Sequence, residues 1–263
     1  MDYNEIIGLV KETNRIPGGR NTVFEIINRT CLNKESKVLE IGTSTGFTSI
    51  EISRFVKCNI KAIDINEDSL NEARIRALKE NFNNISFINA DVNKLPFKNQ
   101  EFDLVIVGNV FSLMKNKEVA LNECRRVCKN NGFILVVPMY YLKEPSNNLL
   151  NNVSKAINVE IKPLYKQDWI DFFNLPDLER YYSKDFKFDF ILEEKINFFT
   201  KEILERLHLK DLKEETFEKL KEIYKKYMLL FRDNLSIMGF SIILLSNKRI
   251  WEDSELYTSK EVI

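Results

Sequence analysis

Three carboxylates lie near the carboxyl ends of successive short apolar segments in the first hundred residues. Glu40 belongs to the first of these segments, Asp64 ends the second, and Asp91 closely follows the third. If the segments are neighbouring parallel strands, their carboxyl ends meet at one edge of a sheet, where ligands bind in folds of this kind. Three acids at one edge repel a pyrophosphate and are compatible with a ligand that carries positive charge.

A glycine-bearing turn separates the first segment from a helical pattern that begins near Thr48. The turn covers residues 42–46 and reads Gly-Thr-Ser-Thr-Gly. Glycine has no Cβ, so a ligand can approach the backbone closely at such a turn. The signal is weak by itself, because NAD-binding folds, flavoproteins and ordinary tight turns also use glycine here.

The positions of Asp64 and Asp91 favour a nucleoside. Asp64 lies eighteen residues after Gly46, where a carboxylate can accept hydrogen bonds from both hydroxyls of a ribose. A helix-capping or loop role is the alternative for this residue. Asp91 can accept a hydrogen bond from an adenine amino group while the Val92 amide reaches a ring nitrogen. A nucleoside that also carries a sulfonium and an ammonium group suits these acids better than NAD does.

The segments that position these residues alternate with helical patterns. Short apolar runs predict strands at residues 37–41, 60–64, 85–88, 102–107 and 133–137. Between them, small and apolar side chains recur at helical spacing, as at Leu70, Ala73 and Ala77. Parallel strands joined by crossover helices follow from this alternation. We predict an α/β fold with a doubly wound, mostly parallel sheet.

The pattern loosens beyond Pro138. Further helices are predicted at residues 145–157 and 167–173 and, as two charged amphipathic helices, within 193–234. Further strands are predicted at residues 185–192 and 236–246, and the last fifteen or so residues resemble a frayed tail.

The charge and hydropathy of the chain disfavour several classes of protein. Its 263 residues include 39 Lys and Arg and 39 Asp and Glu, so no net charge attracts nucleic acid or an anionic membrane. The longest apolar run, residues 237–245, is shorter than the ~20 residues that cross a bilayer, and the N-terminus is too polar for a signal peptide. We expect a cytoplasmic protein without nucleic-acid or membrane partners.

Histidine and cysteine are scarce. The single histidine, His208, lies in a charged helical stretch, and the four cysteines show no CxxC pairing. Buried small side chains explain the cysteines best. We predict no metal site and no histidine-dependent catalysis.

Taken together, these segments resemble a class I S-adenosylmethionine-dependent methyltransferase of the small-molecule kind, with a type 11-like methyltransferase domain. The resemblance covers roughly residues 37–138 and rests on VLEIGTSTGF, AIDIN, NADVNKLPF, EFDLVIVGNVF and LNECRRVCKNNGFILVVP. It implies a Rossmann-like fold of seven strands, S-adenosylmethionine as cofactor and S-adenosylhomocysteine as product.

The resemblance also implies a set of cofactor-binding positions. These are Glu40, Ile41, Gly42, Thr43, Ser44, Gly46, Asp64, Ile65, Asp91, Val92, Gly108 and Asn109. By this resemblance the first acid and the turn lie near the methionine moiety, and the second acid binds the ribose. Ile65 would lie against the adenine face, and the residues after the fourth strand would border the methyl-transfer site. One position departs from the family, because Ser44 replaces its usual middle glycine.

The same resemblance divides the chain into parts of a single methyltransferase domain. We expect an N-terminal helical cap at residues 1–30 and a cofactor-binding core at 31–142. An acceptor-side region with a helical insertion follows at 143–235, and the last strand and tail occupy 236–263.

Methyl transfer from a sulfonium needs positioning more than acid-base chemistry, and positioning can supply ~7–11 kcal/mol. We assign no catalytic residue. Residues 14–20 are predicted to fold over the cofactor, with Arg15 or Arg20 pairing with a carboxylate of cofactor or substrate. Phe111, Tyr140 and Tyr141 are candidates for the walls of the acceptor site. A plain turn and core packing are the alternatives for these residues.

The absence of three sequence motifs narrows the range of methyl acceptors. No Asn/Asp-Pro-Pro-Tyr/Phe follows the fourth predicted strand, no Pro-Cys suggests cytosine chemistry, and no acid cluster follows the fifth. We predict a small, partly aromatic or hydrophobic acceptor and a monomer or homodimer. An NAD-dependent oxidoreductase and a noncatalytic S-adenosylmethionine-binding protein are the alternative functions.

Overall fold

The computed structural model describes residues 3–114 and 116–247. Its strands are β1 (Lys37–Ile41), β2 (Asn59–Asp64), β3 (Ile85–Asn89), β4 (Phe102–Gly108), β5 (Cys128–Val136), β6 (Met139–Tyr141), β7 (Glu179–Lys187) and β8 (Met238–Ser246). Its helices are α1 (Tyr3–Val10), α2 (Arg20–Thr30), α3 (Phe47–Phe55), α4 (Glu67–Lys79), α5 (Lys117–Val127), α6 (Asn147–Ile157), α7 (Lys166–Phe172), α8 (Glu193–Leu204) and α9 (Glu214–Leu235).

One sheet carries all of these strands. The order is β3-β2-β1-β4-β5-β8, with β7 on the other side of β8 and the short β6 paired to the start of β8. The first five strands are parallel, and β8 runs antiparallel to both β5 and β7. The predicted fold, a mostly parallel doubly wound sheet with a helical insertion before the last strand, is confirmed.

The register of the sheet brings the carboxyl ends of its central strands to one edge. Glu40 of β1 is level with Ala62 of β2, and Asp64 at the end of β2 is level with Asn89 at the end of β3. Asp91 follows two residues later. The three acids singled out in the sequence therefore share this edge of the sheet.

Alternate residues of the strands fill two cores, one on each face of the sheet. Leu39 and Ile41 belong to a core that α5 and α7 cover, whereas Val38 belongs to a core that α2 and α3 cover. Burial of both faces explains why these strands are nearly continuous runs of Val, Ile, Leu and Phe.

A third apolar cluster joins the N-terminal helix to the insertion. Ile6 and Val10 of α1 pack against Leu204 of α8 and against Leu220 and Tyr224 of α9. The cap and the insertion, which the sequence treats as separate regions, thus form one helical layer. None of the helices in residues 3–114 and 116–247 is both long and apolar enough to cross a bilayer.

Several predicted boundaries are wrong. Strand β5 begins at Cys128 and not at residue 133, because residues 128–132 extend the strand, with Asn131 at a φ of +58°. Strand β7 covers Glu179–Lys187 and not 185–192, since its register with β8 ends at Gly239.

The N-cap of α4 is Asn66, whose side chain accepts the Ser69 N–H. One local prediction fails in part, and another is not covered. Cys31 is exposed, whereas the other three cysteines are buried as expected. The predicted C-terminal tail lies outside the described residues.

Asn247 fastens the end of β8 to the junction of α5 and β5. Its buried side chain donates hydrogen bonds to the carbonyls of Arg125, Cys128 and Lys129 at 3.1, 3.2 and 3.3 Å. We expect Asn247→Ala to lower the free energy of unfolding by about 2–3 kcal/mol, because buried carbonyls lose their donor. Urea denaturation measures this change. Asn83→Ala, at an exposed position, is the control, and an equal loss in both variants would contradict the assignment.

Candidate cofactor site and its lid

The carboxylate of Glu40 is buried beneath the glycine turn. Its Oε2 accepts hydrogen bonds from Thr43 Oγ1 at 2.7 Å, from the Ser49 backbone N–H at 3.1 Å, and from the Ser49 hydroxyl. Burial raises the pKa of Glu40, and these hydrogen bonds act in the opposite direction. The Glu40 carboxylate therefore holds the glycine turn in its conformation through these hydrogen bonds.

The turn above Glu40 depends on left-handed backbone conformations. Gly42 has a φ of +69°, Ser44 of +48° and Gly46 of +81°. A Cβ added at Gly42 would lie 2.4 Å from Val110 Cγ2, so glycine is needed for contact as well as conformation. Ser44 has the left-handed conformation that glycine adopts most easily, at a cost of roughly 1–2 kcal/mol for an L-residue.

Asp64 ties this turn to the loop after β2. Its Oδ2 accepts the Ser44 backbone N–H at 2.8 Å, and its Oδ1 accepts the Asn66 backbone N–H at 2.9 Å. The side chain is only half-buried, so the carboxylate remains accessible from solvent. It combines a fixed orientation with free acceptor capacity.

The loop after β3 is attached to the same place. The Ala90 N–H donates to the Asp64 carbonyl at 3.1 Å, and the Asn89 side-chain amide donates to the Ile65 carbonyl at 3.0 Å. The Asp91 carboxylate is exposed and accepts the Asn93 backbone N–H at 2.9 Å. Ile65 leaves 76% of its surface exposed beside these acids.

Two further predicted residues, Val92 and Ile41, have buried side chains. Their contribution to a ligand site is therefore restricted to the backbone and to packing beneath it. Thr43 is also buried, with its hydroxyl committed to Glu40.

Gly108 and Asn109 form the end of β4. Gly108 has a φ of +52°, and its carbonyl accepts the Val137 N–H at 2.9 Å. Asn109 Oδ1 accepts the Met139 backbone N–H at 3.0 Å and the Ser112 hydroxyl at 2.6 Å. The Asn109 side chain thus fixes the loop after β4 to the start of β6.

Residues 13–19, which we call the lid segment, lie across this edge of the sheet. The Asn14 N–H donates to Thr45 Oγ1 of the glycine turn at 3.1 Å. The buried side chain of Ile16 comes within 3.8 Å of the position that a Cβ would take on Gly108. The segment therefore contacts both the loop after β1 and the end of β4.

Arg76 of α4 holds the lid segment to the glycine turn. Its Nη1 donates to Thr13 Oγ1 at 2.9 Å and to Thr45 Oγ1 at 3.1 Å, and its Nη2 donates to the Lys11 carbonyl at 2.7 Å. The remaining Nε–H pairs with Glu72 at 2.9 Å. The sequence did not reveal this role, because Arg76 four residues after Glu72 is typical of a surface helix pair.

The four predicted acceptor residues do not all lie together, although Phe111 and Tyr140 share one core cluster. Arg20 is bonded to Glu51 of α3 at 3.2 Å, while Phe111 is buried among Phe172 and Phe173. In the structure these two side chains thus have other partners.

The two tyrosines of β6 are likewise buried, and each hydroxyl has protein partners. Tyr141 donates to Asn234 Oδ1 at 2.8 Å, and the Tyr140 hydroxyl accepts from Ser241 Oγ at 3.2 Å. Burial raises the pKa of both tyrosines. The core-packing alternative for Phe111, Tyr140 and Tyr141 fits these contacts, and their role at an acceptor site stays a prediction.

Within the described residues, His, Cys, Asp and Glu form no group of three or more that could hold a metal ion. His208, the single histidine, has its Nε2 3.0 Å from the Leu9 carbonyl. The hydrogen-bonding groups described at the sheet edge are carboxylates, amides and hydroxyls.

Comparison with known proteins identifies the class of the domain. Residues 32–173 match the family described as "Methyltransferase domain". The matched residues make up more than half of the chain. The chain therefore belongs to this family. The predicted family is confirmed. At the level of the family, the predictions of an enzyme, of methyl transfer and of S-adenosylmethionine as cofactor are confirmed as well.

Particular relatives extend over different parts of the chain. The ubiquinone/menaquinone biosynthesis C-methyltransferase UbiE of Azotobacter vinelandii is 32% identical over 51% of this chain. The chain spans 53–64% of the length of the first curated relatives that it matches.

Solved structures match over a greater share of the chain. The MccD protein has a TM-score of 0.75 and 26% identity, covering 89% of this chain and 100% of its own. A methyltransferase from Geobacter sulfurreducens, solved with S-adenosyl-L-homocysteine, has a TM-score of 0.69 and 11% identity, covering 94% and 99%. The second likeness concerns the fold alone.

Gly42 provides a test of the turn. We expect Gly42→Ala to destabilise the protein by at least about 2 kcal/mol, because a left-handed L-residue is strained and its Cβ overlaps Val110. Urea denaturation gives the value. The control Gly8→Ala, within α1 and with open space at the added Cβ, should stabilise by ~0.5–1 kcal/mol. Adding Val110→Ala to Gly42→Ala should restore part of the loss, and no recovery would contradict the overlap.

Arg76 provides a test of the lid. We expect Arg76→Met to increase the rate of trypsin cleavage after Arg15 by about tenfold or more, because opening of the segment no longer breaks the hydrogen bonds from Arg76 to Thr13 and to the adjoining Lys11 carbonyl. Mass spectrometry of the early fragments measures the rate. Arg74→Met is the matched control, since Arg74 lies on the same helix and pairs with Glu67. Equal rates for the two variants would show that Arg76 does not hold the lid.

Proposed function

We propose that this protein is an S-adenosylmethionine-dependent methyltransferase that acts on a small-molecule acceptor. The observation that carries the proposal is the sheet edge at which Asp64, oriented by the Ser44 and Asn66 amides, lies beside the exposed Asp91. Membership of the methyltransferase domain family supports it.

The residues at this edge fit the cofactor chemically. Asp64 has acceptor capacity for ribose hydroxyls, Asp91 for an adenine amino group, and the exposed Ile65 offers an apolar surface to a base. Gly42 is exposed and has no side chain of its own. The nearby carboxylates favour a ligand with a sulfonium and an ammonium over a pyrophosphate.

In the proposed mechanism, the chain binds the cofactor, orients it and excludes water from it. When bound, S-adenosylmethionine supplies a methyl group that its sulfonium already activates for in-line displacement. Glu40 holds the glycine turn, Asp64 holds the nucleoside end, and Ile16 of the lid segment closes against Gly108. No protein base is assigned, because one is needed only for an acceptor that is protonated at working pH.

For the acceptor we propose a small, partly aromatic or hydrophobic molecule, with Arg20, Phe111, Tyr140 and Tyr141 retained as candidate residues around it. The relative from Azotobacter vinelandii, a C-methyltransferase of ubiquinone/menaquinone biosynthesis, supports such an acceptor. The lid segment supports it too, because a covered edge admits small molecules more readily than a nucleic acid. A cytoplasmic location and a monomeric or homodimeric state belong to the same proposal.

Asp64 tests the cofactor site. We expect Asp64→Asn to weaken binding of S-adenosylhomocysteine about ten- to hundredfold, ~1.4–2.7 kcal/mol, since the amide has one acceptor oxygen for two backbone N–H groups and the ribose. Isothermal titration calorimetry measures the affinity. The control Asp68→Asn removes an exposed carboxylate from the same neighbourhood, and we expect less than a twofold change.

A ligand comparison separates this function from its alternatives. S-adenosylmethionine and S-adenosylhomocysteine should raise the melting temperature, whereas NAD should not. A rise in melting temperature with NAD, and none with S-adenosylmethionine or S-adenosylhomocysteine, would favour an oxidoreductase. Transfer of a labelled methyl group to a metabolite fraction would separate an enzyme from a noncatalytic binder.

A further inference from the structure

A second concave site lies between α3, α4, residues 11–20 and the turn at residues 206–208. This basic cleft has a volume of about 660 Å³. That is within the ~300–1,000 Å³ typical of small-molecule pockets. Glu40, Asp64 and Asp91 do not line it, but Thr45 of the glycine turn and Thr13 of the lid segment do, so the cleft adjoins the proposed cofactor site.

The basic cleft has the opposite charge to the sheet edge. Seven Lys and Arg side chains line it against three carboxylates, a formal excess of four positive charges in a chain whose net charge is zero. Like charges gathered in one concavity raise the local concentration of anions.

The three carboxylates do not neutralise this excess. Arg54 is bonded to both Glu51 and Glu80, and Arg76 is bonded to Glu72. Glu51 also pairs with Arg20. These contacts use every carboxylate that lines the cleft.

Lys11 also pairs with Glu72, at 3.9 Å. The other three cations have no ion pair within 4 Å among the residues described. Lys79 is exposed on the last turn of α4, Arg15 lies 5.5 Å from the Phe47 ring centre, and Arg206 donates to the Val10 carbonyl at 2.7 Å. The Glu12 carboxylate attracts both arginines, but one carboxylate does not cancel three positive charges. An anion in the cleft would therefore gain charge-assisted hydrogen bonds.

Apolar surface accompanies the charge. Ile75 and Leu207 line the cleft with 44% and 78% of their surfaces exposed, and Phe47 lies beside Arg15. We propose that the basic cleft binds an organic phosphate, with the phosphate held by the cations and an apolar or aromatic body on these side chains. This inference does not depend on the proposed function.

The probe for this site is 1-naphthyl phosphate, which has both parts and no adenine to enter a nucleoside site. We expect saturable binding by calorimetry at about 150 mM salt, with an affinity that falls as salt rises. The neutral compound 1-naphthol should bind at least tenfold more weakly. Equal binding of the two compounds, or no saturation below about 1 mM, would overturn the proposal.

Variants locate the binding. We expect Lys79→Glu to weaken the probe at least tenfold, about 1.4 kcal/mol, and Arg15→Gln to weaken it in the same direction. The control Lys219→Glu makes the same change in net charge on the exposed side of α9 and should alter affinity less than twofold. Melting temperatures verify that each variant folds. Equal losses in Lys79→Glu and Lys219→Glu would overturn the assignment to the cleft.

Discussion

Asp64 accepts the Ser44 N–H on one carboxylate oxygen and the Asn66 N–H on the other, so a single side chain joins loops that follow two different strands. Its own carbonyl then accepts the N–H of Ala90, which adds the loop after a third strand. The sheet aligns the strands, and these bonds align the loops that follow β1, β2 and β3 beyond it. The arrangement of these three loops therefore depends on Asp64.

The lid segment is held from two sides by different chemistry. Arg76 bonds Thr13 and the preceding Lys11 carbonyl, whereas Ile16 makes an apolar contact at Gly108. Just before the segment, the half-buried Glu12 carboxylate accepts the Tyr224 hydroxyl of α9 at 2.7 Å, and burial raises the pKa of both groups. The insertion therefore supports the lid through α1 and the residues that follow it.

Much of the fold and part of the site could be predicted, because buried parallel strands and acids at their ends leave local signals in sequence. Asp64 and Asp91 are examples. Arg76 and Tyr141 could not be interpreted in this way. Their roles depend on distant partners: Thr13 is 63 residues from Arg76, and Asn234 is 93 residues from Tyr141. In the sequence, Arg76 resembles half of a surface ion pair on a helix and Tyr141 an aromatic residue after a strand. Neither pattern identifies a distant partner. The start of β5 was missed because Asn and Gly usually end elements and here lie within one.

Strand β8 is buried along its whole length and separates β5 from β7, although it is the last strand of the described chain. During synthesis, β5 therefore has an unpaired, apolar edge until residues 238–246 have left the ribosome. An unpaired edge of this kind attracts other strands. A nascent chain interrupted in α9 would have most of its sheet and no partner for that edge, so the sheet is completed only after residues 238–246 have been made.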